Sequence, residues 1–387
     1  MTDEALVLGL DVGGTSTRAL AITPEGRRRG AGRASGGNPT GLGPERAVAA
    51  LTEAVTQALT GLDPAKVRYV VLGMAGGSAL PSGEDLPGRE LFARFWERAG
   101  IRCPIVYEPD SLIAFAAGTD APEGSLLLSG TGAVAIAVKD RAMAVRADGH
   151  GWLLGDRGSG FWLGRQAVLA AMAALDGDGP ATALTGLVIE SLRLPGAGPG
   201  TDSASGATPG TPDASGADTA GPVLAPRPPD PMVPGTPEPA DPPTNPDTHP
   251  GLGPAGPLTA RDLVAAVMAE PPTALARLAP LLSTACAAGD QVAASIVERA
   301  AEHLAATLAA VRGPDAATPI VLAGSVLTHP TPVAEHVRRT LRERWPAAPV
   351  AVAEDGAAAA AWLALARIGP VPTPDVRERL FSIPTAS

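Results

Sequence analysis

The chain has 387 residues, 45% of them hydrophobic but only 3% aromatic, and a formal net charge of −10. This length suffices for two domains of ordinary size, and the acidic balance argues against nucleic acid or an anionic membrane as a partner. With so few aromatics, the core must be built from Ala, Val and Leu.

The first residues, MTDEALVLGL, are acidic and then apolar, without the basic start and cleavage site of a secretory leader. No apolar run reaches the ~18 residues that a membrane span needs. Cys103 and Cys286 are far apart and lack C-x-x-C spacing, so they read as small buried side chains rather than a disulfide or zinc site. The expected location is cytoplasmic.

In chain order, residues 6–18 (LVLGLDVGGTSTR) form an apolar strand that ends in Asp11 and opens into the turn Gly13-Gly14-Thr15. A turn without side chains lets backbone N–H groups approach a phosphate, and a carboxylate beside it can hold hydrated Mg²⁺. By itself the segment also reads as a plain hairpin whose glycines supply positive φ. Residues 46–59 read as a helix, and 67–72 as a buried strand running into a small-residue turn that contains Gly76 and Gly77. A helix at 90–99, a strand at 104–106 and a helix from 111 follow.

Residues 125–139 (SLLLSGTGAVAIAVK) repeat the strand, small-residue turn, strand pattern with Ser129, Gly130, Thr131 and Gly132. Two such hairpins about 120 residues apart predict a duplicated architecture that clamps a polyphosphate from both sides. After a helix at 164–175, residues 195–257 hold eighteen of the forty-one prolines and no apolar periodicity, and read as a disordered Pro/Gly-rich insertion. Mostly helices follow, including 259–270 and 291–312, then a strand at 319–322 entering Ala323-Gly324-Ser325. A helix at 332–344, a strand at 350–352 and a helix at 357–367 end the pattern. Hairpins that open each half, followed by alternating helices and strands, predict two mixed α/β domains, 1–118 and 119–387, the second interrupted by the insertion.

A Walker A loop is excluded, because neither lysine of the chain, Lys66 or Lys139, follows a glycine. The H-R-D and D-F-G motifs of protein kinases are missing, as is a G-x-G-x-x-G that opens a helix after the first strand. A fold that holds phosphates by two Gly/Thr hairpins remains.

Four blocks resemble the BadF/BadG/BcrA/BcrD-type ATPase family, and within it the N-acetylglucosamine kinase branch of the actin-like ATPase superfamily. They are LGLDVGGTSTR (8–18), LLSGTG (127–132), DGHGWLLGDRGSGFWLGRQ (148–166) and VLAGSV (321–326). The resemblance implies a two-domain actin-like (ribonuclease H-like) fold. It also implies ATP and Mg²⁺ as reaction partners, and phosphorylation of an amino sugar, most simply N-acetylglucosamine, at its 6-hydroxyl. Glucosamine, N-acetylmuramic acid, or a non-sugar ATPase switch are the alternatives, and oligomeric state stays open, a homodimer included. The zinc motif of ROK sugar kinases is missing, and neither cysteine has the setting of the family's iron–sulfur activators.

By this resemblance Asp110 is the general base, although Asp at a strand-to-helix junction also serves as a helix cap. Glu108 is a weaker candidate for the same task. Gly13, Gly14, Thr15, Ser129, Gly130, Thr131 and Gly132 would meet the phosphates, Asp11 would orient Mg²⁺, and Gly324 and Ser325 would lie against the adenosine. Asn38, Gly76, Gly77, Trp152 and Asp156 would bind the sugar. Asn38 reads equally as a turn residue and Trp152 as core filling. Ala75 stands where a serine is frequent in the family and His150 where Gly or Trp is usual, so the substrate can differ.

Overall fold

The structure, a computed structural model, is described for residues 4–74, 88–194 and 258–381, with backbone alone at 40 and 41. The turn holding Gly76 and Gly77, and the insertion at 195–257, lie outside the described residues.

Among the described residues, ten strands form two five-stranded sheets of one topology. In the first, β1 (Leu6–Val12), β2 (Ser16–Ile22) and β3 (Arg28–Ser35) make an antiparallel meander. There β4 (Val67–Met74) and β5 (Ile105–Pro109) add in parallel beyond β1, giving the order β3-β2-β1-β4-β5. In the second, β6 (Gly124–Ser129), β7 (Ala133–Lys139) and β8 (Ala142–Asp148) repeat the meander. The parallel strands β9 (Ile320–Ala323) and β10 (Val350–Val352) complete it, in the order β10-β9-β6-β7-β8. The duplication expected from two hairpins therefore extends to whole sheets.

The central strands β1 and β6 are near-continuous apolar runs because both of their faces are covered. The third strands were not anticipated, for a physical reason. Both β3 (RRGAGRAS) and β8 (AMAVRAD) are sheet edges, and little of either is buried, so no apolar period marks them.

The odd positions of β1 and the even ones face different layers. Leu6, Leu8, Leu10 and Val12 pack with Leu51, Val55, Phe92 and Trp96 of helices Pro44–Ala58 and Arg89–Arg98. Val7 faces the other way, with Leu20, Ile22 and Val71, and there receives helix Gly356–Ile368. That helix starts with five consecutive alanines for a reason visible at Gly9. A Cβ on Gly9 would lie 2.2 Å from the backbone nitrogen of Ala361, so strand and helix meet with no side chain between them. Burying Trp362, Leu363 and Leu365 against the same layer contributes about 1.5–3 kcal/mol each.

Helix Asp110–Gly118 is apolar on all sides because it lies between the two sheets. Its Ile113, Ala116 and Ala117 join the first sheet and helix Gly356–Ile368, while Leu112 and Phe115 pack on Leu126, Ile136 and Val321 of the second. The outer face of the second sheet is covered by helices Gly160–Asp176, Pro280–Ala287, Gln291–Ala309 and Pro332–Arg344. The final helices, Gly356–Ile368 and Pro374–Phe381, return to the first sheet. Among the described residues no helix is long and apolar enough to cross a membrane.

Candidate active site

Parallel sheets place their chemistry beyond the carboxyl ends of their strands. Here Asp11 lies near the end of β1, Asp110 follows β5, Ser129 ends β6, Ser325 follows β9 and Asp355 follows β10.

Among the described residues, the first hairpin is held by two backbone hydrogen bonds at its turn. Gly13 N–H donates to Ser16 O at 2.9 Å, and Gly37 N–H donates to Gly13 O at 3.1 Å. Gly14 and Thr15 are exposed at its tip. The second hairpin is braced from beneath. Gly160 N–H donates to Gly130 O at 2.7 Å and Phe161 N–H to Thr131 O at 3.2 Å, so the first turn of helix Gly160–Asp176 grips the hairpin's carbonyls. Ser129 Oγ donates to Gly158 O at 3.0 Å. The Asp156 carboxylate accepts Ala133 N–H at 3.0 Å and rests against Gly132, 3.0 Å from where its Cβ would be. Asp156 itself sits at φ 57, a left-handed conformation fixed by its N–H donating 2.8 Å to the Asp148 carboxylate.

A cavity of about 660 Å³ lies between the hairpins. Gly14, Thr15, Asn38 and Asp110 line it from the first half, and Thr131, Gly132 and Asp156 from the second. A second cavity, of about 420 Å³, is lined by Gly130, Thr131, Ser325, Val326 and His329 among others, and shares Thr131 with the first. Both are of a size ordinary for small-molecule sites.

Other expected residues take different places. Trp152 is 41% exposed and tilts against Phe161 with ring centroids 5.6 Å apart, outside the lining of either cavity. Glu108 is buried and ion-paired with Arg367 of helix Gly356–Ile368, which occupies its carboxylate. Gly324 is required by protein packing: at φ +81, its Cβ would lie 2.3 Å from Ser129 O. That close approach ties the end of β9 to the second hairpin, a different reason for glycine from the adenosine contact expected. Pro109, rather than Asp110, occupies the cap position of helix Asp110–Gly118, and an Asp110 carboxylate oxygen accepts Ser111 N–H at 2.7 Å.

Arg146, Met143 and Gly149 also line the larger cavity, and sequence reasoning missed them because it missed β8. A charged residue in the run AMAVRAD was the one available signal.

The carboxylates are electrostatically unusual. Burial pushes Asp11 up to about 6, with Asp110 and Asp355 adding to the rise and Arg18 opposing it. Burial raises Asp110 too, against its Ser111 N–H bond and the Arg146 charge. It likewise raises Asp156, where the Ala133 N–H bond opposes it and the Asp148 charge adds to it. Asp355 caps helix Gly356–Ile368, accepting Ala357 N–H at 3.0 Å and Ala358 N–H at 3.1 Å. The Asp11 carboxylate rests against Gly356 at the same helix start, 2.4 Å from where a Cβ would be. Excess negative charge facing the first hairpin suits a hard cation with oxygen ligands. Among the described residues no three His, Cys, Asp or Glu side chains form a metal-binding group. The donor set therefore fits Mg²⁺ held by Asp11 and by phosphates or water rather than in a protein cage. Cys103 and Cys286 are free thiols, each raised by burial.

A sequence model of the BadF/BadG/BcrA/BcrD ATPase family matches residues 8–362, nearly the whole chain. The chain belongs to that family. An N-acetyl-D-glucosamine kinase from Dictyostelium discoideum is 28% identical over 203 residues, 49% of this chain and 61% of that protein. An N-acetylmuramic acid/N-acetylglucosamine kinase from Clostridium acetobutylicum is 34% identical over 90 residues, 23% of this chain and 29% of that protein. The matches thus span less than two thirds of either curated relative. The solved structure of a candidate N-acetylglucosamine kinase from Chromobacterium violaceum superposes with a TM-score of 0.62 at 20% identity, covering 94% of this chain and all of that one. A counterpart from Porphyromonas gingivalis gives 0.56 at 18% identity, over 90% and 95% of the two chains. These neighbours share the fold, the actin-like pair of sheets that the sequence resemblance implied for this family member.

Proposed function

We propose that this family member is an ATP-dependent amino-sugar kinase that phosphorylates the 6-hydroxyl of N-acetylglucosamine. The observation that carries the reading is the meeting of Asp110 with both Gly/Thr hairpins in one cavity, joined at Thr131 to a second. The larger cavity would take the sugar and the transferring phosphoryl group, and the smaller the nucleoside, against Val326 and His329. Family membership and the two kinase relatives support ATP and a sugar as reactants.

Asp110 accepts the hydroxyl proton as the sugar oxygen attacks the γ-phosphorus, and the electron pair of the breaking bond leaves with ADP. Its raised proton affinity, caused by burial, brings it closer to the pH at which a base works best. Gly14, Thr15, Thr131 and Gly132 position the phosphates from opposite sides, and Asn38 and Asp156 offer acceptors to sugar hydroxyls. Asp11 would hold Mg²⁺, which when bound offsets phosphate charge.

Two measurements test this. ADP release is followed with N-acetylglucosamine, glucosamine and N-acetylmuramic acid; turnover independent of any sugar would favour a nucleotide-driven switch instead. In the same assay Asp110→Asn should lower turnover by about 10²–10⁴-fold with little change in sugar affinity. A folded Asn variant that keeps more than about a tenth of the rate would sink the assignment, because a residue whose only role is to accept the Ser111 N–H would tolerate Asn.

A further inference from the structure

Among the described residues lining the larger cavity, Arg146 is the one basic side chain, and none of the roles above uses it. It gets there through a bulge. In the β7–β8 ladder Ala137 pairs with Val145 and Val138 with Met143, leaving Ala144 without a partner. In an unbroken strand, residues 143 and 146 would point to opposite faces. The extra residue lets both line the cavity.

The guanidinium is then fixed by main chain. Arg146 Nε donates to Asp148 O at 3.1 Å and Nη2 donates to Gly149 O. Gly149 stands at φ +70, and a Cβ there would come 2.9 Å from Arg146 Nη2, so the loop is shaped to admit the guanidinium. Carbonyl dipoles hold the group without cancelling its charge. Among the described residues no carboxylate lies within ion-pair distance of it. Asp110 and Asp156 still feel that charge, which opposes the effect of burial on both.

From this geometry we infer that Arg146 is a catalytic residue whose guanidinium stabilises the transferring phosphoryl group between Thr131 and Asp110. The inference rests on the kinase reading above. During transfer the bond from phosphorus to the ADP oxygen breaks and its electron pair leaves with ADP. The bond to the acceptor oxygen forms, and the hydroxyl proton goes to Asp110. Negative charge on the equatorial oxygens of phosphorus is what a preorganised cation opposes. Arginine suits this task better than lysine, because its planar fork can bond to main-chain carbonyls through some N–H groups and present others to a phosphoryl oxygen.

The test compares wild type with Arg146→Ala, Arg146→Gln and Arg146→Lys in two experiments. In steady-state kinetics the Ala variant should lose about 10²–10³-fold in kcat while the sugar KM stays within about threefold, and Lys or added guanidinium should restore part of the rate. In calorimetry, affinity for ADP alone should be unchanged. Affinity for ADP with aluminium fluoride, which mimics the phosphoryl group in flight, should fall by at least about tenfold. Gln keeps donors for the Asp148 and Gly149 carbonyls, so a normal melting curve with low kcat separates charge from loop support. A raised sugar KM with intact kcat would overturn the inference and make Arg146 a sugar contact. Equal weakening of ADP and of ADP with aluminium fluoride would overturn it in favour of a structural role. Wild-type inactivity on every amino sugar would sink the kinase reading, while the fluoride comparison would still report on Arg146.

Discussion

The two hairpins occupy equivalent places in two sheets of equal topology, yet they are supported in opposite ways. Among the described residues the first rests on the loop at Gly36–Gly37, where a Cβ on Gly36 would come 2.0 Å from Gly14 O, while a Cβ on Gly14 itself would meet nothing within 4 Å and both Gly14 and Thr15 are exposed. The second is tied to Gly158, Gly160, Phe161, Asp156 and Gly324, all from outside its own strands. Every brace but Gly324 comes from the segment between β8 and β9, which the first half replaces by the single helix-bearing connection between β3 and β4. Equal topology leaves open how a turn is held. Among the described residues the second turn is braced by more hydrogen bonds from outside its strands than the first.

The strongest way to break that contrast is Gly324→Ala. The left-handed backbone alone costs about 1–3 kcal/mol for a residue with a side chain, and the 2.3 Å approach to Ser129 O cannot be relieved without moving the hairpin. A melting temperature lowered by several degrees, with ATP affinity lowered too, is expected. An unchanged Tm would show that the second hairpin is not braced from β9.

Next in size is Asp156. Replacement by Ala leaves the buried Ala133 N–H without its acceptor, at about 1–3 kcal/mol. Asp156→Asn keeps an acceptor oxygen and should recover most of that stability. If Asp156 also binds sugar hydroxyls, the Asn variant will show a raised sugar KM with a near-normal Tm. Comparable loss of stability in both variants would mean that the charge, not the hydrogen bond, holds the hairpin.

The last effect has the opposite sign and belongs to the first hairpin. Asp11 titrates near 6 when folded, against an ordinary 3.8, so the folded chain binds the proton more tightly than the unfolded one. Its contribution to stability is complete below about 3.8 and is lost as pH rises through about 6. Asp11→Asn should therefore be more stable than wild type above pH 6, by up to about 3 kcal/mol, the difference closing toward pH 4. Use of Mg²⁺–ATP should fall in the same variant while sugar affinity, measured without nucleotide, holds. A pH-independent difference in denaturant midpoint would count against a strained carboxylate at this position.

Much of the candidate site was legible because small-residue turns after apolar strands leave local marks. Gly13-Gly14-Thr15 and Ser129-Gly130-Thr131-Gly132 announce themselves by small residues after apolar runs, and Asp110 by its place between a strand and a helix. The missing part was β8, with Arg146. An exposed edge strand has no buried face to impose a period of two, and a bulge at Ala144 disturbs even the alternation that remains.

By itself, then, the sequence determined the class of fold, two α/β halves opened by Gly-rich hairpins, since apolar period and turn chemistry are local properties of the chain. Only the tertiary structure decided how the halves are joined and which residues line one cavity. Helices Asp110–Gly118 and Gly356–Ile368 share one buried layer between sheets that are far apart in sequence. Asp156 and Gly324 act on a hairpin some 25 and 195 residues away. Contacts over such separations depend on packing and on where unsatisfied N–H groups end up, and neither is written in any single stretch of residues.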